Sequence, residues 1–250
     1  MRRILLPVLL LSLVTATPAH ADPSRDPRLT DNALYSVGPI PRSACAEKPI
    51  NRRNHVPTAR KYVTFVMGCL DRVWSTYLAE AGIPYKKPRL KLLTKDPKKY
   101  CGLDWADYDY AWYCYDNREI MVVLDRTLLN LDPDDLYIFT MLAGFYGEHV
   151  QHLAGIEEAR LEGESDDPIT DVRRSLLQSL CLSGAFTGSV YRSMPRNVDD
   201  WKFIVKQRGK VVQDRFYGKP ASIAYWMNRG FTSRDPKFCN TWTAPKAKVA

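Results

Sequence analysis

The sequence predicts an α+β protein in which a small β-sheet is followed by long helices and disulfides tie the parts together. Three observations carry this expectation. Short alternating runs lie between Arg89 and Asp125, helical spacing takes over from Asp132, and the cysteines number six, an even count. The chain has 250 residues, 45% hydrophobic and 26% charged, with 13 Gly and 17 Pro. Such values allow a sizeable core and exclude disorder, collagen-like repeats and coiled coil for the chain as a whole. The formal net charge of +8 keeps anionic partners in view.

The first segment reads as an address. Arg2 and Arg3 precede an apolar run from Ile4 to Val14, and Ala19-His20-Ala21 places small residues where a signal peptidase reads. The expectation is a signal peptide over residues 1–21, cut after Ala21, and a secreted, extracellular protein. A retained anchor is the alternative, but the run is short for a bilayer. Nothing later reaches the roughly 18 apolar residues of a membrane helix, so no transmembrane segment is expected after cleavage. Cleavage leaves a net charge of +6 and only His55, His149 and His152 among the histidines.

Export permits disulfides. Proximity favours Cys101–Cys114, a loop of a length worth about 3 kcal/mol in the chain-entropy model. Cys45 precedes a long amphipathic stretch that carries Cys69, which suggests a bridge there, and Cys181–Cys239 is then the third pair. The bland alternative leaves Cys69 or Cys181 as a free buried thiol. No C-x-x-C pair exists, so a thiolate zinc site of the usual spacing is not expected.

Each element follows in order. Residues 22–56 hold five prolines and little apolar content, and read as a loose, extended arm. From Thr58 the apolar positions Tyr62, Phe65, Val66, Cys69, Leu70, Val73, Trp74, Tyr77 and Leu78 recur at helical spacing, stopping near Gly82 and Pro84. Arg89–Thr94 reads as a strand, and Tyr110–Asp116 with Glu119–Asp125 as a hairpin turning at Asn117-Arg118. Asp132 caps a helix with Pro133 in its first position, running to about Ala154 and stopped by Gly155. An acidic link over 157–167 ends at the next cap, Asp167-Pro168, whose helix runs to Met194. Gly184 and Gly188 inside it weaken the helix, so close packing against another element is the expected reason. Further helices are read over 198–215 and Pro220–Arg229, the last stopped by Gly230.

Four blocks resemble one family, the bacterial neutral zinc metallopeptidases. Tyr217–Trp242 is similar to that family's ending, and Cys101-Gly102, Tyr113-Cys114 and Val122–Asp125 to its two-cysteine strand segment. Met141–Ile156 resembles its active-site helix, and Leu176–Gly184 its second zinc helix. The resemblance covers residues 60–242 and implies a zincin-like metallopeptidase fold, with residues 57–250 as the metallopeptidase-like domain.

The departures decide the expected function. In the family a His-Glu-x-x-His motif sets two zinc-binding imidazoles one helical turn apart, and the Glu activates the metal-bound water. Aligned on Val150-Gln151, the first His position is Gly144, the base position Phe145 and the second His position Glu148. The third ligand, a Glu on the next helix, corresponds to Leu176, and its supporting Asp to Leu180. Tyr217 stands where the family has a His before Gly218. A buried carboxylate without its cation is costly, so Leu176, Leu180 and Phe145 are expected to fill the former cavity with apolar volume.

The sequence therefore points to a pseudoenzyme, a non-catalytic binding or regulatory relative without a cofactor. The rival is a zinc metallopeptidase with unorthodox ligands among Glu148, His149 and His152; the bland reading of that trio is a helix end with partly exposed imidazoles. An aromatic and acidic run (Asp104, Trp105, Asp107, Tyr108, Asp109, Tyr110, Trp112, Tyr113, Tyr115) suits a sugar or peptide, or simply a strand burying alternate rings. Lys86, Lys87, Arg89, Lys91, Lys95, Lys98 and Lys99 suit an anionic cell-surface polymer, or a solvated strand edge. No nucleic-acid motif accompanies them, so the expected partner is a peptide, a protein or such a polymer.

Overall fold

A computed structural model describes residues 26–48, 50, 54–106, 110–125, 129, 135–211 and 216–250. The expected signal peptide, the start of the arm, the Asp132–Pro133 cap and the run Asp107-Tyr108-Asp109 lie outside the described residues.

The described part of the arm is packed rather than loose. Asp26 caps a short helix α1 (Pro27–Thr30), Asn32 caps a 3-10 turn (Ala33–Tyr35), and Leu34 and Ile40 are buried. Extended backbone there is held by bonds the composition does not display: Ile40 N–H donates to Arg234 O at 2.8 Å and Ser43 N–H to Ser189 O at 3.1 Å. The arm's Glu47 is wholly buried, clasped by Arg196 at 2.9 and 3.0 Å and by the Tyr62 hydroxyl. A buried carboxylate in this setting needs such partners.

Helix α2 (Val56–Glu80) buries the predicted stripe except Phe65, which is exposed, and ends at Gly82, whose φ of 69° suits glycine. The sheet has strand order β1-β5-β4. Here β1 (Arg89–Leu93) runs parallel to β5 (Glu119–Val123), and β4 (Ala111–Cys114) pairs antiparallel with β5, Tyr113 opposite Ile120. A two-residue hairpin, β2 (Lys99–Tyr100) with β3 (Leu103–Asp104), turns at Cys101-Gly102 and was not predicted. Strands that short hold no measurable alternation. The aromatic run divides between the sheet's two sides: Trp105 and Trp112 join a small cluster with Tyr100, Met121 and Val123, while Tyr113 turns to the helices.

The helical half comprises α3 (Asp135–Leu153), α4 (Ile156–Glu162), α5 (Pro168–Val190), α6 (Val198–Val211) and α7 (Pro220–Ser233). The acidic link is thus partly helical, because Ile156 and Ala159 are buried and Arg160 bonds Glu157 at 2.5 Å. Helix α5 gives way after Val190 to a 3-10 turn (Tyr191–Ser193), short of Met194. Gly230 does not stop α7. It lies inside the helix against α5, and Arg234 with φ 58° is the cap.

Asp167 caps α5 as expected, accepting from Thr170 N–H at 3.2 Å and from the Thr170 hydroxyl at 2.7 Å. Its carboxyl is lowered to about 2 by Thr170 and Lys246. The substitution Asp167→Ala is expected to lower stability by about 1 kcal/mol. A urea midpoint that does not move at constant slope would show the cap to be idle.

Three disulfides join Cys45 to Cys69, Cys101 to Cys114 and Cys181 to Cys239. They tie the arm to α2, the small hairpin to β4, and α5 to the 3-10 turn Pro236–Cys239. No described helix is long and apolar enough to cross a membrane. The disulfides fit a secreted protein.

Candidate functional site

Helix α3 carries the site, and its three faces meet three different neighbours. One face approaches α5 closely: a Cβ on Gly147 would stand 2.8 Å from Ser179 O, Ser183 Oγ donates to Thr140 O at 3.0 Å, and Gln151 donates to Ser175 O at 3.2 Å. A second face, with Glu148, His149 and His152, meets Tyr113 and Tyr115 at the end of β4. The third carries Tyr137 and Gly144 toward Arg208 on α6.

Phe145 lies two residues from Gly147, about 200° around the helix, and so points away from α5. It is half-buried, as is Leu176, while Leu180 is 1% exposed. Of the three, Leu180 lies in the core, Phe145 packs at its margin, and Leu176 is only half-buried. Tyr217 is half-buried against the same core.

The histidines are organised by Tyr113. Its hydroxyl lies 2.8 Å from Nδ1 of His149 and 2.8 Å from Nδ1 of His152, and His149 Nε2 lies 2.7 Å from Lys86 O. A carbonyl only accepts, so His149 carries its proton on Nε2. Burial holds His149 neutral, its pKa lowered to about 4, so Nδ1 is a lone pair and accepts a hydrogen bond from the Tyr113 hydroxyl. Having one proton, Tyr113 then accepts from Nδ1–H of His152. His149 is fully buried and His152 half-buried, so the helix end is less exposed than its position suggests.

Glu148 points elsewhere. It is 8% exposed, its Oε2 accepts from the Tyr115 hydroxyl at 3.3 Å, and its pKa is pushed up to about 8. Desolvation is the main cause; Glu157 adds to it, and the Tyr115 hydrogen bond opposes it. Glu157 itself is clasped by Arg160 at 2.5 and 2.9 Å.

The expected zinc-ligand positions supply an incomplete donor set. Gly144, Phe145 and Leu176 carry no ligand atom on their side chains, and both ring nitrogens of His149 are engaged within the protein. Glu148, His149 and His152 do not converge either. Among the described residues, the group of three candidate ligand atoms lying within 4.8 Å of one another is Cys101, Cys114 and Asp116, and its two sulfurs are a disulfide.

Two residues of the site carry weak signals in the sequence. Tyr113 is visible only as one ring in an aromatic run. Arg208 was passed over, although it continues the buried stripe Trp201, Ile204 and Val205 at helical spacing. An arginine on an apolar face is the signal that was available.

The basic run is exposed and largely occupied. Lys87 pairs with Asp71, Arg89 with Glu119 at 3.7 Å and Lys99 with Asp104 at 3.4 Å, and Lys91 lies over the Tyr100 ring. Its strand β1 is a sheet edge, where lysines discourage pairing with other chains.

Fold and site together define a disulfide-bonded α+β protein whose small mixed sheet faces a helix carrying a Tyr113–His149–His152 cluster and a separate Tyr115–Glu148 hydrogen bond. Over 207 residues the chain is 24% identical to the uncharacterized protein YpfJ of Escherichia coli K12, covering 74% of this chain and 71% of that protein. The same figures hold for YpfJ of E. coli O6:H1 strain CFT073. No family model and no solved structure matches the chain.

Proposed function

We propose that this chain is a secreted, non-catalytic binding protein, a pseudoenzyme with a zincin-like, zinc-metallopeptidase-like fold. The observation that carries the reading is the chemistry at the expected ligand positions. Gly144, Phe145 and Leu176 offer no donor, and Glu148 is a buried carboxyl whose pKa lies near 8 and whose Oε2 is bonded to Tyr115. Gly144, Phe145 and Leu176 supply neither a metal ligand nor, at the base position Phe145, a group to take a proton from bound water.

The partner is an extended peptide or protein segment. Strand β4 is an edge of the sheet and runs against α3, a geometry suited to strand addition, with main-chain bonds giving affinity and neighbouring pockets giving selectivity. An anionic cell-surface polymer is the competing partner, and its binding would weaken steeply with salt and on neutralising Lys86–Lys99.

Protein purified without chelator tests the reading. Metal analysis is expected to find zinc well below one per chain, and a fluorogenic peptide library is expected to bind saturably without hydrolysis. Stoichiometric zinc that is lost in Glu148→Ala, together with chelator-sensitive cleavage, would overturn it and favour the unorthodox metallopeptidase.

A further inference from the structure

The strongest unexplained charge in the molecule is Arg208. It is 5% exposed, and its Nε is buried with no hydrogen-bond partner. Among the described residues no carboxylate pairs with it; its guanidinium sits 5.4 Å from the centre of the Tyr137 ring. Other sheltered arginines have at least part of their donor set answered by protein groups, although Arg174 Nη2 is likewise buried without a partner. Arg196 and Arg160 hold Glu47 and Glu157, and Arg174 donates to Ala244 O at 2.9 Å and to Thr241 O.

Arginine cannot escape this position by losing its proton. A cation over an aromatic ring and the carbonyl end of α6 both favour the charge, but each is weaker than the solvation it has lost. The space beside it comes from the sequence. Gly144 is the α3 residue facing Arg208, and a Cβ there would lie 4.0 Å from Nη2, so glycine keeps the approach to the guanidinium free of side-chain atoms.

We infer that Arg208, seated between Tyr137 and the space that Gly144 leaves unfilled, is a carboxylate-binding site. The planar fork of donors matches a carboxylate with two parallel bonds, and its single charge balances a carboxylate but not a doubly charged phosphate. The carboxylate belongs to the bound peptide, either its C-terminus or an Asp or Glu side chain. In naming the partner's chemistry the inference rests on the binding reading above, while the cation site itself rests on Arg208 alone.

Thermal unfolding of the purified, disulfide-intact chain tests it, with sodium acetate compared against equimolar sodium chloride. Acetate is expected to raise Tm by roughly 2–4 °C. In Arg208→Met that rise disappears, while the basal Tm does not fall, since an unanswered buried charge has been removed. Gly144→Leu, which keeps Arg208 but covers it, is expected to lose the acetate response as well. Peptide pools with free or amidated C-termini then separate the sources: dependence on the free end assigns the C-terminus, and equal effect of amidated acidic peptides assigns the side chain. No acetate response in the wild-type chain, a response that survives Arg208→Met, or a larger response to inorganic phosphate would overturn the carboxylate site. None of these results depends on the zinc content or hydrolysis by which the non-catalytic reading is judged.

Discussion

Gly230→Ala is expected to destabilise the protein by at least about 3 kcal/mol and to leave most of it unfolded or aggregated on expression. Helices α5 and α7 meet backbone to backbone. A Cβ on Gly230 would stand 1.9 Å from Cys181 O, and Cβ atoms on Gly184 and Gly188 would stand 2.3 Å from Met227 O and 2.2 Å from Phe231 O. The obstructing atoms are backbone carbonyl oxygens, so no side-chain rotation relieves the clash, and Cys181 is also tied to Cys239. Gly184→Ala and Gly188→Ala are expected to behave alike. Gly68→Ala supplies the contrast: it lies on an exposed face of α2 with nothing within 4 Å, and alanine there is expected to stabilise by about 0.5–1 kcal/mol. Equal urea midpoints for Gly230→Ala and the wild type would show that the two helices do not approach as described.

The second large effect concerns pH. Glu148 binds its proton more tightly when folded, with a pKa near 8 against an ordinary value of 4.5, so the folded state carries the extra proton between those limits. Stability from this group is complete below about 4.5 and declines as pH rises to about 8, by about 1.4 kcal/mol per unit. His149 acts with the opposite sign. Its pKa falls from 6.5 to about 4, so its contribution is full above 6.5 and is lost toward 4. The two oppose each other in mild acid, and the net decline becomes visible above pH 6.5, amounting to about 2 kcal/mol by pH 8.

The charged and titratable groups around Glu148 are Glu157 with its partner Arg160, Tyr115 and Tyr113. Both tyrosine hydroxyls are raised by burial, chiefly, and stay protonated in this range. Glu148→Gln keeps the shape and an acceptor for Tyr115 but removes the ionisation. It is expected to flatten the decline above pH 6.5 and to be more stable than the wild type at pH 8. Parallel urea titrations of both proteins with the same slope in that window would refute the assignment to Glu148.

Much of the frame was legible in the residues. The stripe of α2 from Tyr62 to Leu78, the cap at Asp167-Pro168 and the hairpin partners Tyr110–Asp116 and Glu119–Asp125 follow from spacing and turn chemistry, which are local properties. Gly184 and Gly188 also announced themselves, because glycine inside a helix costs stability unless a neighbour requires it. Their counterpart Gly230 was misread as a helix stop, since the same residue serves an end or a close contact. Only the position of α5 distinguishes the two.

The site divides in the same way. By itself the sequence determined which atoms are missing: no arrangement of the chain gives Gly144, Phe145 or Leu176 a side-chain ligand. Tertiary structure alone decided how the remaining polar groups are used. The Tyr113 hydroxyl reaches two imidazoles across 36 and 39 residues, and Lys86 O meets His149 across 63. Arg208 faces Gly144 from another helix. Hydrogen bonds and burial depend on separation in space, and a side chain's type limits what it can offer without fixing the neighbour that receives it.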